Sequence, residues 1–123
     1  MIKYIDMGLD DVLVMVSTDV LWADFAAEVS RYGLRGTEGL QGLPGNVGAA
    51  VTENYSAGGS SVGNIVSGVV CIDHKDGSRC RFTAAQCAFA PGDSVFRHTD
   101  GRFEPVSVLM RFSRPPHSSG LPS

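Results

Sequence analysis

Gly33-Leu34-Arg35-Gly36-Thr37-Glu38-Gly39-Leu40-Gln41-Gly42-Leu43-Pro44-Gly45-Asn46-Val47-Gly48-Ala49-Ala50 reads as six triplets, each led by glycine. Glycine at every third position suits three extended chains wound together, because only a hydrogen atom fits at their crowded axis. The residues between the glycines are mixed polar and aliphatic, and Pro44 stands third in its triplet. At about 3.1 Å rise per residue such a rod reaches roughly 50 Å. So short and proline-poor a rod needs folded trimeric domains to hold its register.

On these triplets the segment resembles the short collagen-like stretches of bacteriophage fibres and other trimeric surface proteins. The resemblance implies a homotrimer in which Gly33, Gly36, Gly39, Gly42, Gly45 and Gly48 pack at the axis. The same glycines also admit a flexible functional loop, with Gly33 explained separately as the C-cap of a preceding helix.

The rest of the chain bounds the class. It has 123 residues, 43% of them hydrophobic, and a formal net charge of −3. That composition belongs to a folded protein and lacks the basic footprint of a duplex nucleic-acid binder. Cys71, Cys80 and Cys87 form an odd set, and no signal peptide or membrane-length segment is evident. Synthesis in a reducing cytoplasm with free thiols is the simplest expectation, with later assembly into a virion compatible with it.

Outward from the triplets, strands are expected at 1–6 and 11–17, around a turn at Met7-Gly8-Leu9-Asp10. Ser17, Thr18 and Asp19 offer N-caps for a helix whose face carries Leu21, Trp22, Phe25, Ala26 and Val29, ending at Tyr32. Trp22 and Phe25 are expected in the core or in subunit contacts. On the other side, Val51–Tyr55 suits a strand and Ser56–Ser61 a flexible loop. A strand from Asn64 to Asp73, broken by Gly68, turns at Asp76-Gly77 and returns over Arg79–Thr83. That two-residue turn sets Asp73 opposite Cys80 and Cys71 opposite Phe82. A second hairpin is expected from Ser94–His98, Asp100-Gly101 and Phe103–Phe112, with Arg97 opposite Glu104 and Pro105 at an edge or bulge. The stretch 92–112 resembles the hairpins of SH3-like and Tudor-type barrels. From Arg114 the chain is a polar, proline-rich tail.

No arrangement here carries chemistry. Cys71 and His74 lie three apart on a strand and point to opposite faces, which counts against zinc. His74-Lys75-Asp76-Gly77 and His98-Thr99-Asp100-Gly101 are first of all turn sequences. No nucleophile elbow, phosphate-binding loop or His-Glu-x-x-His is present.

The expected fold is therefore α+β and mostly β: N-terminal strands and one helix at 1–32, the glycine-periodic segment and loop at 33–61, a small antiparallel sandwich or barrel at 62–113, and a tail at 114–123. The expected function is non-enzymatic, without catalytic residues, metal or cofactor: a homotrimeric fibre, decoration or attachment component of phage type. Its partners are itself and other virion proteins, not nucleic acid or membrane. The alternative is a small soluble binding module, an adaptor or inhibitor that uses the glycine-rich loop.

Overall fold

The computed structural model describes residues 1–6 and 10–114. Strands β1 (Ile2–Asp6) and β2 (Asp11–Ser17) lead into helices α1 (Trp22–Arg31) and α2 (Val47–Thr52). The short strands β3 (Ser56–Ala57) and β4 (Ser60–Ser61) follow, then β5 (Val66–Asp73), β6 (Ser78–Thr83) and β7 (Phe103–Ser113). Five strands form one antiparallel sheet in the order β1-β2-β7-β5-β6, while β3 and β4 pair with each other. The mostly β, α+β class expected from the sequence is the class the chain adopts. Met7–Leu9 of the expected first turn, and the tail from residue 115, lie outside the described residues.

The sheet owes its inner face to period-two patterning. Val12, Val14 and Val16 of β2 pair with Phe112, Met110 and Val108 of β7, and all six are buried. Helix α1 covers them with Trp22, Phe25, Ala26 and Val29. The Phe25 and Phe112 rings lie 6.0 Å apart, and Trp22 lies 5.8 Å from Phe25. Burying each large side chain contributes about 1.5–3 kcal/mol. The helix ends as its sequence directs: Tyr32 is the C-cap and Gly33 turns left-handed at φ 77°. Its start differs, because no side chain caps it. The amide of Trp22 instead donates to the Gly45 carbonyl at 2.9 Å, and the Thr18 hydroxyl is committed to Pro105 O at 3.0 Å. Leu21, expected on the buried face, is 56% exposed.

The glycine-periodic segment is not a triple helix. Chains of that kind hold φ near about −75° throughout, whereas Gly33, Gly42 and Gly45 have φ of 77°, 73° and 94°. Gly48 lies inside α2. Leu40, outward-facing in the triplet scheme, is completely buried, and its carbonyl accepts the Trp22 indole N–H at 2.8 Å. The segment packs on its own chain's core.

Three further expectations are corrected. Residues 47–52 are helical where 51–55 suggested a strand, since Asn46 caps the turn by accepting from the Ala49 amide at 2.8 Å. In the β5–β6 hairpin Asp73 pairs with Ser78 and Cys71 with Cys80. There the chain makes a four-residue loop, in which Asp73 accepts from the Lys75 amide through its side chain (3.0 Å) and from the Gly77 amide through its carbonyl (2.7 Å). Residues 95–97 form a single 3₁₀ turn, so the second, barrel-type hairpin is absent and β7 pairs with β2 and β5 instead. Glu104 meets His74, not Arg97. Arg97 donates to the Gly92 carbonyl at 2.7 Å.

Candidate functional site: a groove beside the glycine-rich segment

Asn54 is the pin of the site. It sits just after α2 with φ 45°, a left-handed conformation that asparagine tolerates better than most residues. Its side chain is buried; it donates to the Ala90 carbonyl at 2.8 Å and accepts from the Gly63 amide at 2.7 Å. One amide group thus ties the end of α2, the approach to β5 and the 84–91 loop together. Ser94 adds a second tie, its hydroxyl donating to Thr52 O at 2.6 Å. The Val95 amide adds a third, donating to Cys87 O at 2.7 Å.

Between these fixed loops lies an open groove of about 690 Å³, bordered by Ser56, Ser61, Asn64, Phe89 and Pro91. The hydroxyls of Ser56 and Ser61 are 2.9 Å apart across the β3–β4 ladder. Phe89 forms an apolar wall over Gly63, where an added Cβ would come within 2.7 Å of the ring. Asn64 also borders a second depression of about 400 Å³, which Arg35, Glu38, Arg111 and Asp11 line. Arg111 there is paired with Asp11.

Among the described residues, the groove's lining presents neutral donors and acceptors and no charged side chain. Burial pushes the Cys71 thiol up to about 12 and the Cys87 thiol up to about 11, so both rest protonated and neither presents a standing thiolate to the groove. The two histidines among the described residues are engaged at the surface, His74 with Glu104 (2.7 Å) and His98 with Asp93 (2.8 Å).

The residues singled out for assembly are spread through the monomer. Trp22 and Phe25 are fully buried in its core. Gly33 ends α1, and Gly36 lies against Ile65 and Phe112. Gly39 meets the backbone of Ala57 and Gly58, at the base of the β3–β4 turn. Gly42 faces open space, Gly45 lies beside the Tyr55 hydroxyl, and Gly48 packs on Thr18. The groove's own residues, Asn54, Ser56, Ser61 and Phe89, carried no mark beyond a Ser/Gly-rich loop.

No family model matches the chain. It is similar to UDP-N-acetylenolpyruvoylglucosamine reductase of Pseudomonas fluorescens Pf-5, with 34% identity over 106 residues, 86% of this chain and 31% of the relative. The reductase of the same name from Salinispora arenicola is 32% identical over 117 residues, 95% of this chain and 32% of the relative. Among solved structures, UDP-N-acetylenolpyruvylglucosamine reductase from Thermus caldophilus superposes with a TM-score of 0.71 and 26% identity, covering 83% of this chain and 37% of that one. The chain therefore spans about a third of the length of the curated relatives it matches. These likenesses overturn the collagen-like and barrel-type resemblances, and with them the expected non-enzymatic virion component and the adaptor alternative. The proteins that this chain resembles are enzymes, reductases of a UDP-linked enolpyruvyl sugar.

Proposed function

We propose that the chain is the ligand-holding lobe of a UDP-N-acetylenolpyruvoylglucosamine reductase. The observation that carries this is a similarity running through 95% of the chain to a reductase of that name. Reducing an enolpyruvyl double bond requires a hydride at one carbon and a proton at the other. The groove offers hydroxyls, two carboxamides and an aromatic wall, groups that position a ligand and cannot supply the hydride. Its role is orientation, with the reacting groups supplied by the remainder of a longer reductase. Arg35, in the depression that shares Asn64, provides the positive charge that a diphosphate selects.

Titration of the chain with UDP-N-acetylenolpyruvoylglucosamine, followed by amide NMR, tests this. Shifts should concentrate at Ser56, Ser61, Gly63, Asn64 and the 88–90 amides. Arg35→Ala should weaken binding roughly fivefold, for a loss of about 1 kcal/mol. Saturating ligand that leaves those amides unmoved would refute the assignment.

A further inference from the structure

Cys71 and Cys80 stand directly opposite each other on β5 and β6, so both side chains leave the sheet on the same side. Cα atoms in an antiparallel pair are about 4.5 or 5.5 Å apart, depending on whether the pair is hydrogen-bonded. Both values fall inside the span of about 4.4–6.8 Å that a disulfide bridges. The two thiols are free, as is that of Cys87. They differ in access. Cys71 is buried, whereas Cys80 is half-buried and lines a cavity of about 430 Å³ with Arg81, Phe82, Gln86 and Phe103. Strand β6 is the outermost strand on this side of the sheet and bonds only to β5.

We propose that Cys71 and Cys80 are a peroxide-sensitive dithiol that closes into a cross-strand disulfide, locking the edge strand β6 to β5. Hydrogen peroxide reaches Cys80 through the cavity. The Cys80 sulfur displaces water from the peroxide and becomes a sulfenic acid. The Cys71 sulfur then attacks the Cys80 sulfur, and the hydroxyl leaves with the Cys71 proton as a second water. Overall, two thiols and one peroxide give one disulfide and two waters, with sulfur oxidised and peroxide oxygen reduced. Cys71 and Cys87 are fully buried, so Cys80, the accessible thiol, is the first to react. A reducing thiol reverses the bond.

The test uses the full chain with a small excess of hydrogen peroxide, then alkylation, intact mass and peptide mapping without reduction. The expected product has lost two hydrogen atoms, links Cys71 to Cys80, leaves only Cys87 open to alkylation under denaturing conditions, and regains three alkylatable thiols with dithiothreitol. Cys80→Ala should abolish the loss and Cys87→Ala should keep it. A link that involves Cys87, a Cys80 that proceeds to sulfinic acid without linking, or three unreacted thiols would each overturn the proposal.

Discussion

A methyl group at Gly39 would lie 2.6 Å from the carbonyl oxygen of Ala57 and 3.1 Å from that of Gly58. Both neighbours are backbone and cannot rotate away, so the strand-like approach of two chain segments there depends on a missing side chain. Gly42 is glycine for a different reason. Nothing lies within 4 Å of its absent Cβ, but its φ is 73°. Gly39→Asn should therefore cost about 1–3 kcal/mol by overpacking, while Gly42→Asn should cost less than about 1 kcal/mol, since asparagine visits left-handed backbone. Urea denaturation followed by Trp22 fluorescence checks the pair, and equal midpoints would contradict this account. At the same scale, Asp73 is held below the usual carboxylate range, first by the Arg102 guanidinium and then by the Lys75 amide. A depressed folded-state value stabilises the fold above the unfolded carboxylate range, near pH 3.9, and that contribution disappears as pH falls through the lower value. Arg102→Ala should raise the Asp73 midpoint in an NMR titration. The variant's stability deficit at neutral pH should close in acid. An unmoved midpoint would show that Arg102 is not the cause.

Among the elements, α2 is the one that local sequence disguises. Val47-Gly48-Ala49-Ala50-Val51-Thr52 contains a glycine and two valines, poor helix material, and it continues a glycine period that points elsewhere. What makes it helical is the Asn46 cap together with burial of Val47, Ala50 and Val51. Asn46→Ala should cost about 1 kcal/mol, and hydrogen exchange at the Ala49–Val51 amides should quicken with it; unchanged exchange there would mean that packing alone holds the turn. By contrast, the strands β2 and β5 and the helix α1 were legible because their apolar spacing is long and regular. Hairpin details were not. Asp76-Gly77 looks like a two-residue turn, yet Asp73 captures the loop one step earlier and shifts the ladder by two residues. The groove was illegible for a related reason: Asn54 acts through Gly63 and Ala90, and nothing local to residue 54 announces those distant partners.

For the molecule as a whole, the decisive fact is that strands far apart in sequence share one sheet. β2 pairs with β7 along seven consecutive positions, from Asp11↔Ser113 to Ser17↔Ser107. Leu40 and Val47 from the glycine-rich stretch, and Val51 beside them, enter the same buried cluster as Trp22, Phe25 and Phe112. No helix among the described residues is long and apolar enough to cross a membrane. A core shared in this way should unfold in one step. Thermal melts read by Trp22 fluorescence, which senses the junction of α1 with Leu40, should coincide with melts read by far-ultraviolet circular dichroism, which senses the sheet. At about 0.7 kcal/mol per residue, the calorimetric enthalpy should be about 80 kcal/mol and should match the van't Hoff value. A fragment of residues 62–113 keeps β5, β6 and β7 but loses β2 and the helical cover of Val108, Met110 and Phe112. It should remain unfolded or aggregate. If that fragment folds with native-like dispersion, or if the two melts separate by several degrees, the segments are independent units and the single-core account fails.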